Sequence, residues 1–133
     1  MGGLRPPLPT ADKEKHMPGR LYADGASPPI IASDLTLHAN WGTAPAVTIA
    51  TGSNDQRGSI HINTNATVGA NPTVIHTFKR AYAHAPFVIV CKGDADDTEE
   101  FAVTAVSATA FTVQLVGTPT QDVDYAYNYV VVG

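Results

Sequence analysis

From residue 46 onward, short β-prone segments alternate with turn residues, and this pattern limits the chain to a few all-β architectures. The segments recur about every 10–12 residues, with Gly, Asn and Pro between them. No amphipathic segment of helical period is longer than about 10 residues. We therefore predict an all-β fold, an antiparallel, jelly-roll-like β-sandwich over residues 46–133. The predicted strands are 46–50, 59–63, 74–78, 87–91, 101–107, 111–116 and 123–132.

The last predicted strand is unusual because both of its faces carry apolar or aromatic residues. Tyr125, Tyr127 and Tyr129 share one face, and Ala126, Asn128 and Val130 lie on the other. An edge strand with two such faces risks aggregation unless a partner covers it. A small core made mainly of Ala, Val and Thr also gains stability from association. We therefore expect a homo-oligomer in which this strand, with its three tyrosines, lies at the interface.

Proline is concentrated at the other end of the chain, where seven of the 10 prolines precede residue 46. Each proline fixes its own φ, lacks a backbone donor and disfavours helix at the preceding residue. We therefore predict that residues 1–45 form an extended Pro-rich arm that anchors the sandwich to another surface. The alternative is an arm that stays disordered until assembly. The predicted anchoring residues are Leu4, Leu8, Leu21, Tyr22, Ile30, Ile31 and Trp41.

Composition excludes several classes of partner. The formal net charge is −4, from 8 Lys and Arg against 12 Asp and Glu, so we expect no broad electrostatic binding of nucleic acid or anionic membrane. No apolar run is long enough to span a bilayer. The stretch Met1 to Pro7 lacks an apolar signal core, so we expect synthesis in the cytoplasm without Sec-type secretion.

One dense acidic cluster lies between two predicted strands. Carboxylates are the ligands that Ca²⁺ prefers, but the spacing and the missing central Gly do not fit an EF-hand. Charge runs of this kind are usually solvated, so we interpret the cluster as an exposed loop and leave a cation site as the alternative. Its residues are Asp94, Asp96, Asp97, Glu99 and Glu100.

The remaining candidate chemistry is sparse. The five histidines show no metal-ligand spacing, although His61 and His76 lie on predicted strands that could face each other. The single cysteine, Cys91, ends an apolar strand and is interpreted as a buried, unreactive thiol. No Gly-x-Ser-x-Gly motif is present. We therefore predict no enzyme, no catalytic residue, no cofactor and no metal site.

Several segments, in this order and spacing, resemble one domain type. They are GSNDQRGSIHI at 52–62, FKRAYA at 78–83, APFVIV at 85–90, AFTV at 110–113 and YAYNYVVV at 125–132. Together they are similar to a β-sandwich domain of tailed-bacteriophage appendage proteins, which occurs in head fibres, tail fibres and capsid-decorating proteins. The likeness covers about residues 47–133, and it implies a trimeric virion protein.

The resemblance and the predicted arm together imply a function. We expect a homotrimeric capsid decoration or head-fibre protein whose arm binds the major capsid protein or another virion protein, while the sandwich projects outward. No shaft of repeats is present, which favours this interpretation over a complete tail fibre. The alternative is a tail-fibre or receptor-binding tip that recognises host surface glycan, with Trp41, Tyr82 or Tyr125 stacking on sugars.

Overall fold

The predicted strands are present, and they form two packed antiparallel sheets. The structure is a computed structural model, and it describes residues 27–94 and 99–133. Within these ranges the chain forms eight strands and two single-turn 3₁₀ helices, Ala32–Asp34 and Ala39–Trp41. The strands are β1 (Leu35–Leu37), β2 (Ala46–Ile49), β3 (Arg57–Asn63), β4 (Thr73–Thr77), β5 (Phe87–Lys92), β6 (Glu100–Val106), β7 (Ala110–Val116) and β8 (Asp124–Val132).

The two sheets have four strands each. The front sheet has the order β1-β4-β7-β6, and the back sheet has the order β2-β3-β8-β5. The β2–β3 and β6–β7 connections are hairpins within a sheet, and the other five connections cross from one sheet to the other. The predicted class, an antiparallel β-sandwich, is therefore confirmed.

The core fills the space between the sheets with alternate residues of each strand. On β7, for example, Phe111, Val113 and Leu115 point inward and are at most 1% exposed. On β3, Ile60 and Ile62 are fully buried, because the period-2 alternation of a strand places both on the core face. The largest side chains in the core are aromatic: Trp41, Phe111, Tyr127 and Tyr129.

The sandwich begins well before residue 46, so the predicted domain boundary is wrong. β1 pairs with β4 in the front sheet, and Ile30 and Trp41 are buried in the core. The high proline content was the reason for this error. Pro28 and Pro29 lie directly before the first elements of the sandwich and are not part of an arm. The three-residue strand β1 is also too short to show a period-2 signal.

The 45 residues predicted as an arm therefore fall into two parts, of which only the second is described by the structure. Residues 27–45 belong to the sandwich. Residues 1–26 lie outside the described residues, and with them four of the predicted anchoring residues: Leu4, Leu8, Leu21 and Tyr22.

The last strand is not at an edge, which corrects a second prediction. β8 lies between β3 and β5 and pairs with both. Tyr125, Tyr127 and Tyr129 point into the core and are at most 2% exposed, so they have no surface for a partner. Both faces of this central strand carry apolar side chains: the tyrosines of the inner face belong to the core, and Val130 and Val132 lie on the outer face.

No helix among the described residues is long and apolar enough to cross a membrane.

Candidate functional site

The most unusual polar group in the interior is His76 on β4. Its Nε2 lies 2.6 Å from the hydroxyl oxygen of Tyr127, and its ring stacks on Phe111 with the ring centroids 4.2 Å apart. Burial lowers the pKa of His76 from 6.5 to about 3 and raises the pKa of Tyr127. His76 is 4% exposed, and the described residues leave no room for a water molecule beside it. This pair is a core hydrogen bond and cannot meet a substrate.

A buried carboxylate joins the β2–β3 turn to the end of β4. Asp55 is 2% exposed and accepts hydrogen bonds from the backbone N–H groups of Lys79 and Arg80, at 2.9 and 3.1 Å. The Tyr129 hydroxyl donates to the carbonyl oxygen of Asn54 in the same turn. Burial, together with the charge of Asp55, raises the pKa of Tyr129. These polar groups all serve backbone geometry, as expected for turn residues.

Close packing explains the glycine at the start of β3. A Cβ on Gly58 would lie 2.5 Å from the Tyr129 hydroxyl oxygen and 2.7 Å from the Cβ of Ser53. The left-handed conformation of this turn is at Gly52, whose φ is +91°. Gly58 does not have a positive φ, so the role of this glycine is steric.

The exposed apolar area of the back sheet is concentrated on the outer faces of β5 and β8. Four side chains form what we call the outer strip, in two cross-strand pairs: Phe87 beside Val132, and Ile89 beside Val130. Phe87 is 79% exposed, Ile89 63%, Val132 55% and Val130 48%. Such contiguous apolar surface on a folded domain commonly marks a contact site for another protein.

A groove lies next to the outer strip. It is bounded by the crossing segment at residues 82–87 and by Val132 and Gly133 at the end of β8, and its volume is about 460 Å³. Tyr82 closes its inner side, buried in the core against Phe78. The groove and the outer strip share Phe87 and Val132, so they form one continuous surface, which we take as the candidate functional site.

Charged residues of the back sheet lie beside this surface, on β3 and at the start of β8. Arg57 is the partner of Val130 in the β3–β8 register. His61 and Asp124 lie 3.7 Å apart on the outer face, at the other end of the same strands. His61 thus faces solvent while His76 faces the core, so the two histidines do not face each other.

Several predicted site residues are placed elsewhere than expected. Trp41 and Ile30 are core residues, and the indole N–H of Trp41 donates to the carbonyl oxygen of Thr73 at 2.9 Å. Ile31 is 52% exposed and lies apart, in the turn before the first 3₁₀ helix. Cys91 is exposed, so the prediction of a buried thiol is wrong; it lies on the outer face of β5, two residues beyond Ile89.

The residues proposed to stack on sugars are not available at the surface. Trp41, Tyr82 and Tyr125 are at most 5% exposed. Each packs against other aromatic rings of the core, Trp41 against Tyr125 and Tyr82 against Phe78. Trp41 and Tyr125 therefore offer no ring face to a sugar, and Tyr82 contributes only to the inner wall of the groove.

The acidic cluster is only partly described. Asp96 and Asp97 lie outside the described residues. Glu100 begins β6 and pairs with Lys92, with Nζ 3.8 Å from the carboxylate oxygen. In the part of the chain that the structure describes, no three His, Cys, Asp or Glu residues are grouped so that they could hold a metal ion.

Sequence reasoning missed the outer strip because the first five residues of β5 are all apolar. Phe87 to Cys91 is an uninterrupted apolar run, and such a run does not indicate which alternate residues face the core. The only available signal was Pro86, which marks the start of β5 at Phe87.

Comparison with known proteins adds no relative. No protein-family model matches the chain, and neither a curated protein nor a solved structure is significantly similar to it. The functional proposal therefore depends on the site and on the resemblance noted in the sequence.

Proposed function

We propose that the protein is a structural subunit that acts by protein–protein contact and carries out no catalysis. The observation that carries this proposal is the distribution of polar and apolar groups. The buried polar groups His76 and Asp55 are engaged in hydrogen bonds within the fold. The exposed apolar side chains of the back sheet are instead gathered at one end of its outer face. A surface of this kind is suited to binding protein.

The finer proposal is a virion protein of a tailed bacteriophage, in the form of a homotrimeric capsid decoration or head-fibre subunit. The sandwich fold and the resemblance of residues 47–133 to phage appendage domains support it. In this proposal the arm comprises residues 1–26, which precede the sandwich and carry four prolines and spaced apolar residues. The arm attaches the subunit to the major capsid protein or another virion protein, and the sandwich projects outward.

The test measures attachment to particles. Capsids that lack the protein are mixed with the purified full chain and sedimented, and bound protein is quantified. We expect the full chain to sediment with the capsids and a Leu4→Ser, Leu8→Ser, Leu21→Ser triple variant to stay in the supernatant. A Lys13→Ser, Lys15→Ser variant, altered in the same segment, serves as the control and should still bind.

Two results contradict the proposal. One is a full chain that does not bind capsids and is not detected by mass spectrometry in purified particles. The other is a triple leucine variant that binds as well as the control, which removes the anchoring role of the arm. Circular dichroism of each variant checks that the sandwich is still folded.

A further inference from the structure

We propose that the outer strip and its groove form the contact between copies of this chain, with the Phe87 side chain of one copy filling the groove of the next. This inference deepens the proposed assembly function by naming the surface and its occupant. It places the contact on β5, not on the buried tyrosines of β8 that the sequence indicated.

The surface carries both halves of a complementary pair. Phe87 is 79% exposed at the start of β5 and presents on the order of 150 Å² of aromatic surface. The groove beside it has a volume of about 460 Å³, enough for a phenyl ring, and is lined mainly by apolar side chains such as Ala85 and Val132. Because every copy in a homo-oligomer is identical, one chain must carry both the side chain that inserts and the groove that receives it, and this surface carries both.

The position of β5 adds a second reason. β5 is the outermost strand of the back sheet and pairs only with β8 among the described residues. Because β6 of the front sheet lies close beside β5, the surface that β5 offers to a partner is its outer face. None of the four side chains of the outer strip is charged, so burying them against a second copy desolvates no ion.

The size of the surface also fits a second copy. The exposed fractions of the four side chains amount to roughly 400 Å², about half of the surface that each partner buries in a standard protein–protein interface. The walls of the groove and the flanking polar residues of β3, Arg57 among them, can supply the rest. Two copies can exchange Phe87 around a two-fold axis, and three can do so around a three-fold axis.

The experiment measures the molar mass of the full chain in solution, with no capsid present. Light scattering after size exclusion should give a dimer or a trimer for the unaltered chain. Phe87→Asp and the milder Phe87→Ala should weaken association by at least about 30-fold, as expected for a central aromatic contact. Ile75→Asp is the matched control: Ile75 is an exposed apolar residue on β4 of the front sheet, and this variant should associate normally.

The single cysteine offers a direct readout of geometry. Cys91 is exposed on the same face of β5 as Phe87 and Ile89, so a spin label attached there reports on the proposed interface. We expect dipolar coupling between labels in the unaltered chain and its loss in Phe87→Asp. Because Phe87 is exposed, neither substitution at this position should prevent folding, and circular dichroism checks this.

Two outcomes overturn the inference: the unaltered chain is monomeric, or Phe87→Asp associates as the unaltered chain does. If the unaltered chain is monomeric and Phe87→Asp speeds tryptic cleavage at Lys13, Lys15 and Arg20, the groove is assigned to the chain's own residues 1–26. Since no capsid is used, each of these outcomes is distinguishable from a failure of particle attachment.

Discussion

The inner and outer faces of β8 carry apolar residues for different reasons. The inner face carries Tyr125, Tyr127 and Tyr129, which are at most 2% exposed and contact the rings of the core. The outer face carries Val130 and Val132, about half exposed beside Phe87 and Ile89 of β5. The inner residues hold one chain together, whereas the outer residues are free to hold two chains together. The apolar character of a residue is thus not enough to tell whether it serves folding or assembly.

The largest expected effect is on the free energy of unfolding, which we expect to depend strongly on the inner face of β8 and little on its outer face. Tyr127→Ala removes a fully buried ring and leaves His76 without its hydrogen-bond partner, so we expect the free energy of unfolding to fall by about 3–5 kcal/mol. Val130→Ala on the outer face should change it by less than about 0.5 kcal/mol. Urea unfolding at low protein concentration measures both. Equal losses would contradict the division between the faces.

The next effect depends on pH and compares two histidines. The pKa of His76 is about 3 in the folded chain and near 6.5 when unfolded, so below about pH 6.5 only the unfolded chain takes up this proton. The stability that the neutral histidine provides is therefore present above pH 6.5 and is lost as the pH falls toward 3. From this group alone we expect a loss of about 1.4 kcal/mol per pH unit over that range.

The matched variants for this prediction are His76→Gln and His61→Gln. His76→Gln should flatten the dependence of the free energy of unfolding on pH between 6.5 and 3. His61→Gln serves as the control for replacing a strand histidine by glutamine, because the side chain of His61 lies on the outer face of β3 and not in the core. Urea unfolding at intervals of half a pH unit measures the slope. A slope unaffected by His76→Gln would show that other groups cause the acid sensitivity.

The smallest of the three effects compares a buried and an exposed carboxylate. Asp55→Asn replaces a charged acceptor of two backbone hydrogen bonds with an amide whose NH₂ group faces a backbone donor. We expect a loss of about 1–3 kcal/mol. Asp124→Asn, on an exposed side chain of the outer face, should cost less than about 0.5 kcal/mol. The midpoint of urea unfolding distinguishes the two, and the expectation for Asp55 is wrong if both midpoints shift equally.

Local patterns predicted a large part of this fold. The seven strands from residue 46 to residue 132 were all identified, because each is a short β-prone run and most are flanked by Gly, Pro or Asn. Shared faces were predicted where the alternation is strict, as for Tyr125, Tyr127 and Tyr129. β1 was missed, because a three-residue strand in a proline-rich region has neither the length nor the alternation that a sequence can show.

The candidate site could not be predicted in the same way. Phe87 and Ile89 belong to a run that is apolar at every position, and their exposure is fixed only when β5 pairs with β8. Cys91 shares that face and was placed in the core for the same reason. Trp41 was assigned to an interface, although its indole N–H binds the carbonyl oxygen of Thr73, 32 residues further along the chain.

By itself, the sequence determined that the chain forms short strands, where most of them begin and end, and which side chains share a face. These properties depend on neighbouring residues, through the twofold alternation of the extended backbone. Only the tertiary structure decided that β8 is central, that β5 is at the edge and that Phe87 faces outward. Those properties depend on pairing between residues far apart in the chain, such as Ile89 with Val130, and on the order in which the strands are arranged in the two sheets.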